Sequence, residues 1–152
     1  MTRDRLYAIA AGLVSSDSSS LPSDVDGELV GLLQMALEIT TYESEPALLT
    51  FNMEEWNDGT LAGRRFVRTV ELPANEIRPE PVTRLVVAPR LPIDGEDELD
   101  MDEGLCFATA RFLASYCCKP ENAAMHITLG KDICKAYTAE TIKGVPVDMK
   151  EF

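Results

Sequence analysis

Six of the nine prolines fall between residues 46 and 92, at positions 46, 73, 79, 81, 89 and 92. Proline has no backbone N–H to donate, so this stretch excludes a long helix and confines any strands to short or edge positions. On both sides of the stretch, apolar residues recur at the spacing of a helix face. The chain therefore predicts a helical body that is interrupted by an extended segment.

The helical body is predicted from four segments whose apolar residues fall on one helix face, namely Leu6–Leu13, Val25–Leu37, Leu105–Tyr116 and Met125–Tyr137. Ser23 is the predicted N-cap of the second helix, which should reach about Thr40. Pro120 suits the first position of the last helix, and Gly144 with Pro146 predicts where that helix ends. Residues 126–129 also fit a short strand, because Ile127 and Thr128 are β-branched, but the surrounding spacing favours a helix.

Short strands are predicted inside the proline-rich stretch. Leu49, Phe51 and Met53 alternate with polar residues, and Asn57–Gly59 is a strong turn signal. Two further candidate strands are Phe66–Leu72 and Leu85–Val87. The predicted fold class is mainly α: a small helical bundle with an inserted, extended β-hairpin arm.

A single domain is expected for a chain of 152 residues. We predict that it spans 1–152, with the helical body at 1–45 and 93–145 and the β arm at 46–92. No apolar run approaches the ~18 residues of a membrane span, so a soluble protein is expected.

The sign of the charge changes along the chain. Residues 1–59 carry 11 acidic and 2 basic side chains, residues 60–92 carry 3 acidic side chains and 6 arginines, and residues 93–118 carry 7 acidic and 1 basic. The formal net charge of the whole chain is −12. Two interpretations follow: the basic arm packs on acidic helices of its own chain, or it reaches an acidic surface of another copy or a partner.

The candidate partner contacts lie in this basic arm. Arg64, Arg65 and Arg68 surround Phe66, and strand alternation would place Arg64, Phe66 and Arg68 on one face. Guanidinium groups bind carboxylates bidentately and also contact DNA phosphates. Trp56, beside the predicted turn, is either a cover for the core or a contact hot spot.

No pattern in the chain predicts an active site, a metal site or a cofactor. The acidic run 94–103 does not fit a calcium loop, because Leu99 and Leu105 occupy the positions of the required glycine and glutamate. His126 and the four cysteines could form a zinc or a thiol–imidazole site only across two helices. We instead expect those cysteines, Cys106, Cys117, Cys118 and Cys134, to be free thiols packed as small hydrophobes in a reducing compartment.

The order of the elements resembles the head-to-tail connector, or tail-adaptor, proteins of tailed bacteriophages. Four stretches carry the resemblance: Arg5–Leu13, Thr50–Glu55, Asp102–Ala110 continuing to Pro120, and Lys131–Cys134. They resemble the opening helix, the segment that leaves the second helix, and the last helix pair joined at a proline. The middle arm departs from the family pattern, so no contact residue is carried over there.

The resemblance implies a structural virion protein that is assembled in the cytoplasm of the bacterial host. Such proteins form rings, commonly of twelve copies, between the portal protein and the tail or nozzle proteins, and DNA passes through the ring without sequence-specific binding. An acidic lumen repels phosphate and lets DNA slide. A ring also needs two different, complementary surfaces on each copy, and an acidic body with a basic arm offers such a pair.

Two other function classes remain open from the sequence. An acidic inhibitor or immunity protein blocks a basic, nucleic-acid-binding partner by imitating phosphate charge, and residues 17–28 and 94–103 would form its contact surface. A small enzyme has only the cysteines and His126 in its favour.

Overall fold

The structure is a computed structural model that describes residues 1–91 and 94–147, with side chains described to residue 137. The predicted junction of arm and body at residues 92 and 93 lies outside the described residues, as do residues 148–152 of the predicted domain. The described part of the chain is mainly helical, as the sequence predicted, and its three strands form a small antiparallel sheet. No helix within it is both long enough and apolar enough to cross a membrane.

The helices and strands follow each other in a simple order. The helices are α1 (Arg3–Ser15), α2 (Glu28–Glu43), α3 (Met53–Asn57), α4 (Glu103–Cys117) and α5 (Pro120–Val147). The strands are β1 (Thr50–Asn52), β2 (Phe66–Leu72) and β3 (Val82–Val87), and a 3₁₀ turn at Ala47–Leu49 precedes β1. The sheet order is β1-β3-β2, with both pairings antiparallel. The described prolines of the middle segment, at 46, 73, 79, 81 and 89, lie outside these strands, in agreement with their missing N–H groups.

Helix α4 is the centre of the body. Eight of its residues are buried, and α1, α2 and α5 all pack against it. Phe112 fills the core between α4 and α5, and the Thr40 and Thr109 hydroxyls form a buried 3.0 Å hydrogen bond between α2 and α4. Residues of the sheet, including Leu85 and Val86, belong to the same hydrophobic cluster as the helices. The middle segment therefore packs against the body through the second half of β3, Leu85–Val87.

Three predicted element boundaries were wrong. Helix α2 begins at Glu28 and not at Ser23, because the Asp24 carboxylate accepts the Asp26 amide at 3.0 Å and holds this segment in a turn. The strand predicted at 49–53 is only Thr50–Asn52, because the Asn52 side chain accepts the Glu55 amide and starts α3. Helix α5 continues through the predicted stop near Gly144 to Val147.

Several other predictions were confirmed. Helix α5 begins at Pro120, and residues 126–129 are helical. Strand β2 spans Phe66–Leu72 as predicted, and β3 contains the predicted Leu85–Val87 but begins earlier, at Val82. The turn predicted at Asn57–Gly59 is present, and Gly59 adopts a φ of 86°, which favours glycine.

A candidate partner-contact surface

Arg64 ties the sheet to the acidic loop that precedes α4. Its side chain is only 14% exposed, and Nη2 donates to Asp100 Oδ2 at 2.8 Å and to the Ala88 carbonyl at 3.2 Å. The Arg90 Nε donates to the same carboxylate oxygen at 3.3 Å. Asp100 is therefore held between two arginines of the middle segment.

Arg68 and Arg65 both bond to α2. The Arg68 Nη2 donates to the Ser44 carbonyl and, at 3.4 Å, to the Thr41 carbonyl, at the helix end where backbone carbonyls lack partners. Arg65 forms an ion pair with Glu38, although its side chain is 62% exposed. The pKa of Glu38 is lowered by the hydrogen bond from Gln34, at 3.0 Å, and by the one from Arg65.

All three guanidinium groups thus have acceptors within their own chain. The charge pattern left two interpretations open. In this structure the basic segment packs on the body of its own chain. The three arginines act here as links between the sheet, the acidic loop and α2.

The expectation that Arg64, Phe66 and Arg68 share a strand face was wrong. Arg64 lies before the first residue of β2, and a bulge separates Phe66 from Arg68. Phe66 lies opposite Val87 and Arg68 opposite Val86, which are consecutive residues of β3 and point to opposite faces. The extra residue in the bulge breaks the alternation that the sequence pattern assumed.

The structure does bring Trp56 and Phe66 together. Their ring centroids are 6.3 Å apart in an edge-to-face arrangement, with side-chain exposures of 37% and 50% respectively. The Asn52 cap starts the short helix that carries Trp56, and the glycine turn then returns the chain to β2. Two large aromatic residues are therefore held in a fixed arrangement at the surface.

Sequence reasoning missed a third aromatic residue, Tyr42. It lies near the end of α2, is 63% exposed, and lines a cleft of about 160 Å³ together with Phe66 and the Glu38–Arg65 pair. We call Tyr42, Trp56 and Phe66 the aromatic ridge. Met35, two turns before Tyr42 on the same side of α2, is also exposed. The sequence did contain a signal for these residues. Met35 and Tyr42 lie opposite the apolar face of α2, so the helical spacing already placed them outside the core.

Asp17 and Asp102, one from each acidic segment, bond to distant parts of the chain, whereas most acidic residues of both segments are exposed. Asp102 is buried and accepts the Ala47 and Leu48 amides at 2.7 and 2.8 Å, and the Tyr137 hydroxyl also donates to it. Asp17 accepts hydrogen bonds at 3.0 Å from the Ser19 and Lys119 amides and from the Asn122 side chain. These bonds, led by those of Ser19 and Asn122, hold the pKa of Asp17 far below its usual range. Asp17 and Asp102 are thus structural, whereas Asp24, Asp26, Glu28 and five acidic residues of 94–103 remain exposed.

Burial dominates the surroundings of two of the thiols and of the imidazole. Burial raises the pKa of Cys106 to about 11 and that of Cys134 to about 12, so both thiols are protonated at neutral pH. His126 is buried on α5 and its Nδ1 is 3.2 Å from an Nη1 of Arg111. Among the described side chains, no three potential ligands come together as a metal site.

Comparisons with known proteins identify no relative whose properties could be transferred to this chain. No protein-family model, no curated protein and no solved structure matches the chain.

Proposed function

We propose that the chain is a structural subunit of a tailed bacteriophage, a head-to-tail connector that assembles as a ring between the portal protein and the tail or nozzle proteins. The ring would contain about twelve copies, as in the family that the element order resembles, and DNA would pass through its lumen in the virion. The mainly helical body and the net charge of −12 support this proposal, because an acidic conduit repels phosphate.

The observation that carries the proposal is the aromatic ridge. Exposed tyrosine, tryptophan and phenylalanine side chains are enriched where proteins bind one another. Here Phe66 contacts the ring of Trp56 and lines a cleft with Tyr42, so that the three side chains belong to one surface. An exposed aromatic surface of this kind suits an assembly subunit.

Of the two roles that its charge pattern left open, this proposal gives the middle segment the one within its own chain. The arginines hold β2 against α2 and the acidic loop, and so they keep Phe66 beside Trp56 and Tyr42. The extended part of the arm is then the connection between β2 and β3, where Ile77 is exposed. Contacts to portal or tail proteins would use this connection and the aromatic ridge.

The mass of the protein in solution, measured with and without a portal ring, tests the proposal. We expect a closed oligomer of about twelve copies, formed by the chain alone or on the portal. A one-to-one complex with a basic, nucleic-acid-binding protein, weakened by salt, would instead identify the chain as an acidic inhibitor. A chain that forms no ring and does not bind a portal would contradict the connector function.

Reversal of Arg64, Arg65 and Arg68 to Glu tests whether they act within their own chain. Because each has an acceptor in its own chain, the triple variant should lose monomer stability, with the Arg64–Asp100 pair contributing about 1–3 kcal/mol. Arg84→Glu is the matched control, since Arg84 is exposed on β3 and has no ion pair among the described residues. If the triple variant stays as stable as the control but no longer assembles, the arginines contact a partner after all.

A further inference from the structure

His126, the single histidine of the chain, lies where three elements of the fold meet. Its side chain is on the face of α5 that packs on the body, and the residue is 2% exposed. Two charged groups act on it from the elements packed there, the Arg111 guanidinium of α4 and the Asp17 carboxylate of the loop between α1 and α2. The nearest charged residues of α5 itself, Glu121 and Lys131, are exposed. The protonation of His126 is therefore coupled to one cation and one anion.

The bond to Arg111 fixes the state of the imidazole. Arg111 Nη1 and His126 Nδ1 are 3.2 Å apart. Because a guanidinium can only donate, Nδ1 accepts, so the imidazole is neutral and carries its hydrogen on Nε2. In the described part of the chain no carboxylate pairs with Arg111, and the imidazole is its acceptor. Protonation of Nδ1 would remove this acceptor and place a second cation beside the guanidinium inside the protein.

Asp17 holds the start of α5 from a distant part of the chain. Its Oδ2 accepts the Lys119 amide and the Asn122 side chain, both at 3.0 Å, and so it caps the helix. Asn122 and His126 are four residues apart and lie on neighbouring turns of one helix face. The hydrogen bonds to Asp17 hold its pKa far below its usual range, so it stays ionised in mild acid. Asp17 is thus a permanent anion, and its partner Asn122 is one turn from the imidazole.

We propose that Arg111, His126 and Asp17 form a pH-sensitive clasp that holds the start of α5 and the α1–α2 loop on α4. Above a pH of about 6.5 the neutral imidazole accepts the Arg111 hydrogen bond, and Asp17 caps α5. In mild acid a proton from solvent binds Nδ1, Arg111 turns away, and the Asp17 carboxylate moves from the helix start towards the imidazolium. The start of α5 then loses its cap and loosens from α4. The clasp belongs to the fold of one chain, so it does not depend on the connector function.

The direction of the effect follows from two protonation equilibria. Burial, and then the charge of Arg111, lower the pKa of His126 in the closed clasp, whereas Asp17 raises that pKa by a smaller amount. In the open clasp the imidazole returns to its ordinary pKa of about 6.5. Proton binding therefore favours the open clasp as pH falls, by up to about tenfold in the opening equilibrium for each unit between the two pKa values.

Nuclear magnetic resonance tests the clasp directly, because the chain contains one imidazole. The nitrogen shifts of His126 in mild alkali should identify the Nε2–H tautomer, and the titration of the ring should have a midpoint below about 6.5. The amides of Ser19 and Lys119 both donate to Asp17, so their resonances should titrate with the same midpoint. In mild acid, hydrogen exchange of α5 amides 124–127 should be faster than that of β3 amides and less dependent on urea, because a local opening exposes little surface.

Two variants should move the midpoint in opposite directions. Arg111→Gln removes the neighbouring charge and keeps an amide that can donate to Nδ1, so the midpoint should rise towards about 6.5. Asp17→Asn removes the anion, so the midpoint should fall. Arg84→Gln is the matched control, since it makes the first substitution at an exposed arginine of β3 and should leave the midpoint unchanged. Circular dichroism verifies that each variant is folded.

The clasp is overturned by a midpoint at or above about 6.5, by an Nδ1–H tautomer, or by Ser19 and Lys119 amides that do not follow the imidazole. It is also overturned if the α5 amides exchange with the same protection and urea dependence as those of β3, because the opening would then be global unfolding. A chain that forms no ring and binds no portal would contradict the connector function and leave the clasp standing.

Discussion

Replacing Gly130 by alanine should destabilise the protein, although alanine is the better helix former. Gly130 lies inside α5, and a Cβ built on it would be 2.7 Å from Phe112 Cε1 and 3.0 Å from two further atoms of the same ring. Phe112 is 1% exposed and is surrounded by the core, so the ring cannot move aside without disturbing its neighbours. The close approach of α4 and α5 at this point requires the missing side chain.

The magnitude follows from two opposing effects. Alanine in place of a helical glycine contributes about 1 kcal/mol of stability, and overpacking a filled core costs about 1–3 kcal/mol. With the cost near its upper end for so short a contact, we expect a net loss of about 1–2 kcal/mol. For a chain of this size that loss corresponds to a decrease in Tm of about 2–8 °C. Urea and thermal unfolding followed by circular dichroism measure both quantities.

The chain supplies its own controls. Gly12 and Gly31 also lie inside helices, but a Cβ on either would meet nothing within 4 Å. Gly12→Ala and Gly31→Ala should therefore each raise stability by about 0.5–1 kcal/mol. Combining Gly130→Ala with Phe112→Leu should cost less than the sum of the two single changes, because leucine frees space for the new methyl group. If Gly130→Ala stabilises the protein as the two controls do, the packing argument is refuted.

Three further outcomes are expected from buried polar groups. Asp102→Asn should lower the free energy of unfolding by about 1.5–3 kcal/mol, because the charged oxygens of Asp102 accept the Ala47 and Leu48 amides. Urea denaturation measures this loss, and an unchanged free energy of unfolding would contradict the role of Asp102. Tyr7→Phe should leave stability unchanged or raise it, by up to about 1–3 kcal/mol, since the buried Tyr7 hydroxyl has no partner among the described residues; a clear loss would indicate one. Burial and the neighbouring Arg111 guanidinium lower the pKa of His126 in the folded state. The unfolded chain therefore binds a proton at this imidazole more readily than the folded chain does. Because of this difference, the free energy of unfolding should fall as pH decreases through about 6.5. Unfolding curves of His126→Gln between pH 5 and 8 should lack this component, and identical pH profiles for both proteins would refute it.

Local patterns in the sequence were sufficient for α1, α2, α4 and α5 and for two of the three strands, but not for the short helix α3. The apolar spacing in α1, α4 and α5, the proline at the start of α5 and the β-rich run of β2 each act over a few residues, so they can be read without knowledge of the fold. The same holds for the turn at Gly59, where a positive φ favours glycine. Trp56 and Phe66 were also identified as candidate contacts, and they do lie against one another at the surface.

Tertiary structure alone decided how those local elements are used. The direction of each arginine depends on acceptors that are distant in sequence, as when Arg64 reaches Asp100 and Arg68 reaches Ser44. Likewise, Asp102 orders the amides of a turn 54 and 55 residues away, an arrangement that no local pattern contains. The aromatic ridge forms only because the packing of β2 against α2 brings Phe66 to Tyr42. Periodicity selects which side of an element faces the core, whereas the meeting of two exposed sides depends on how the elements pack, and so the contact surface becomes visible only in the folded chain.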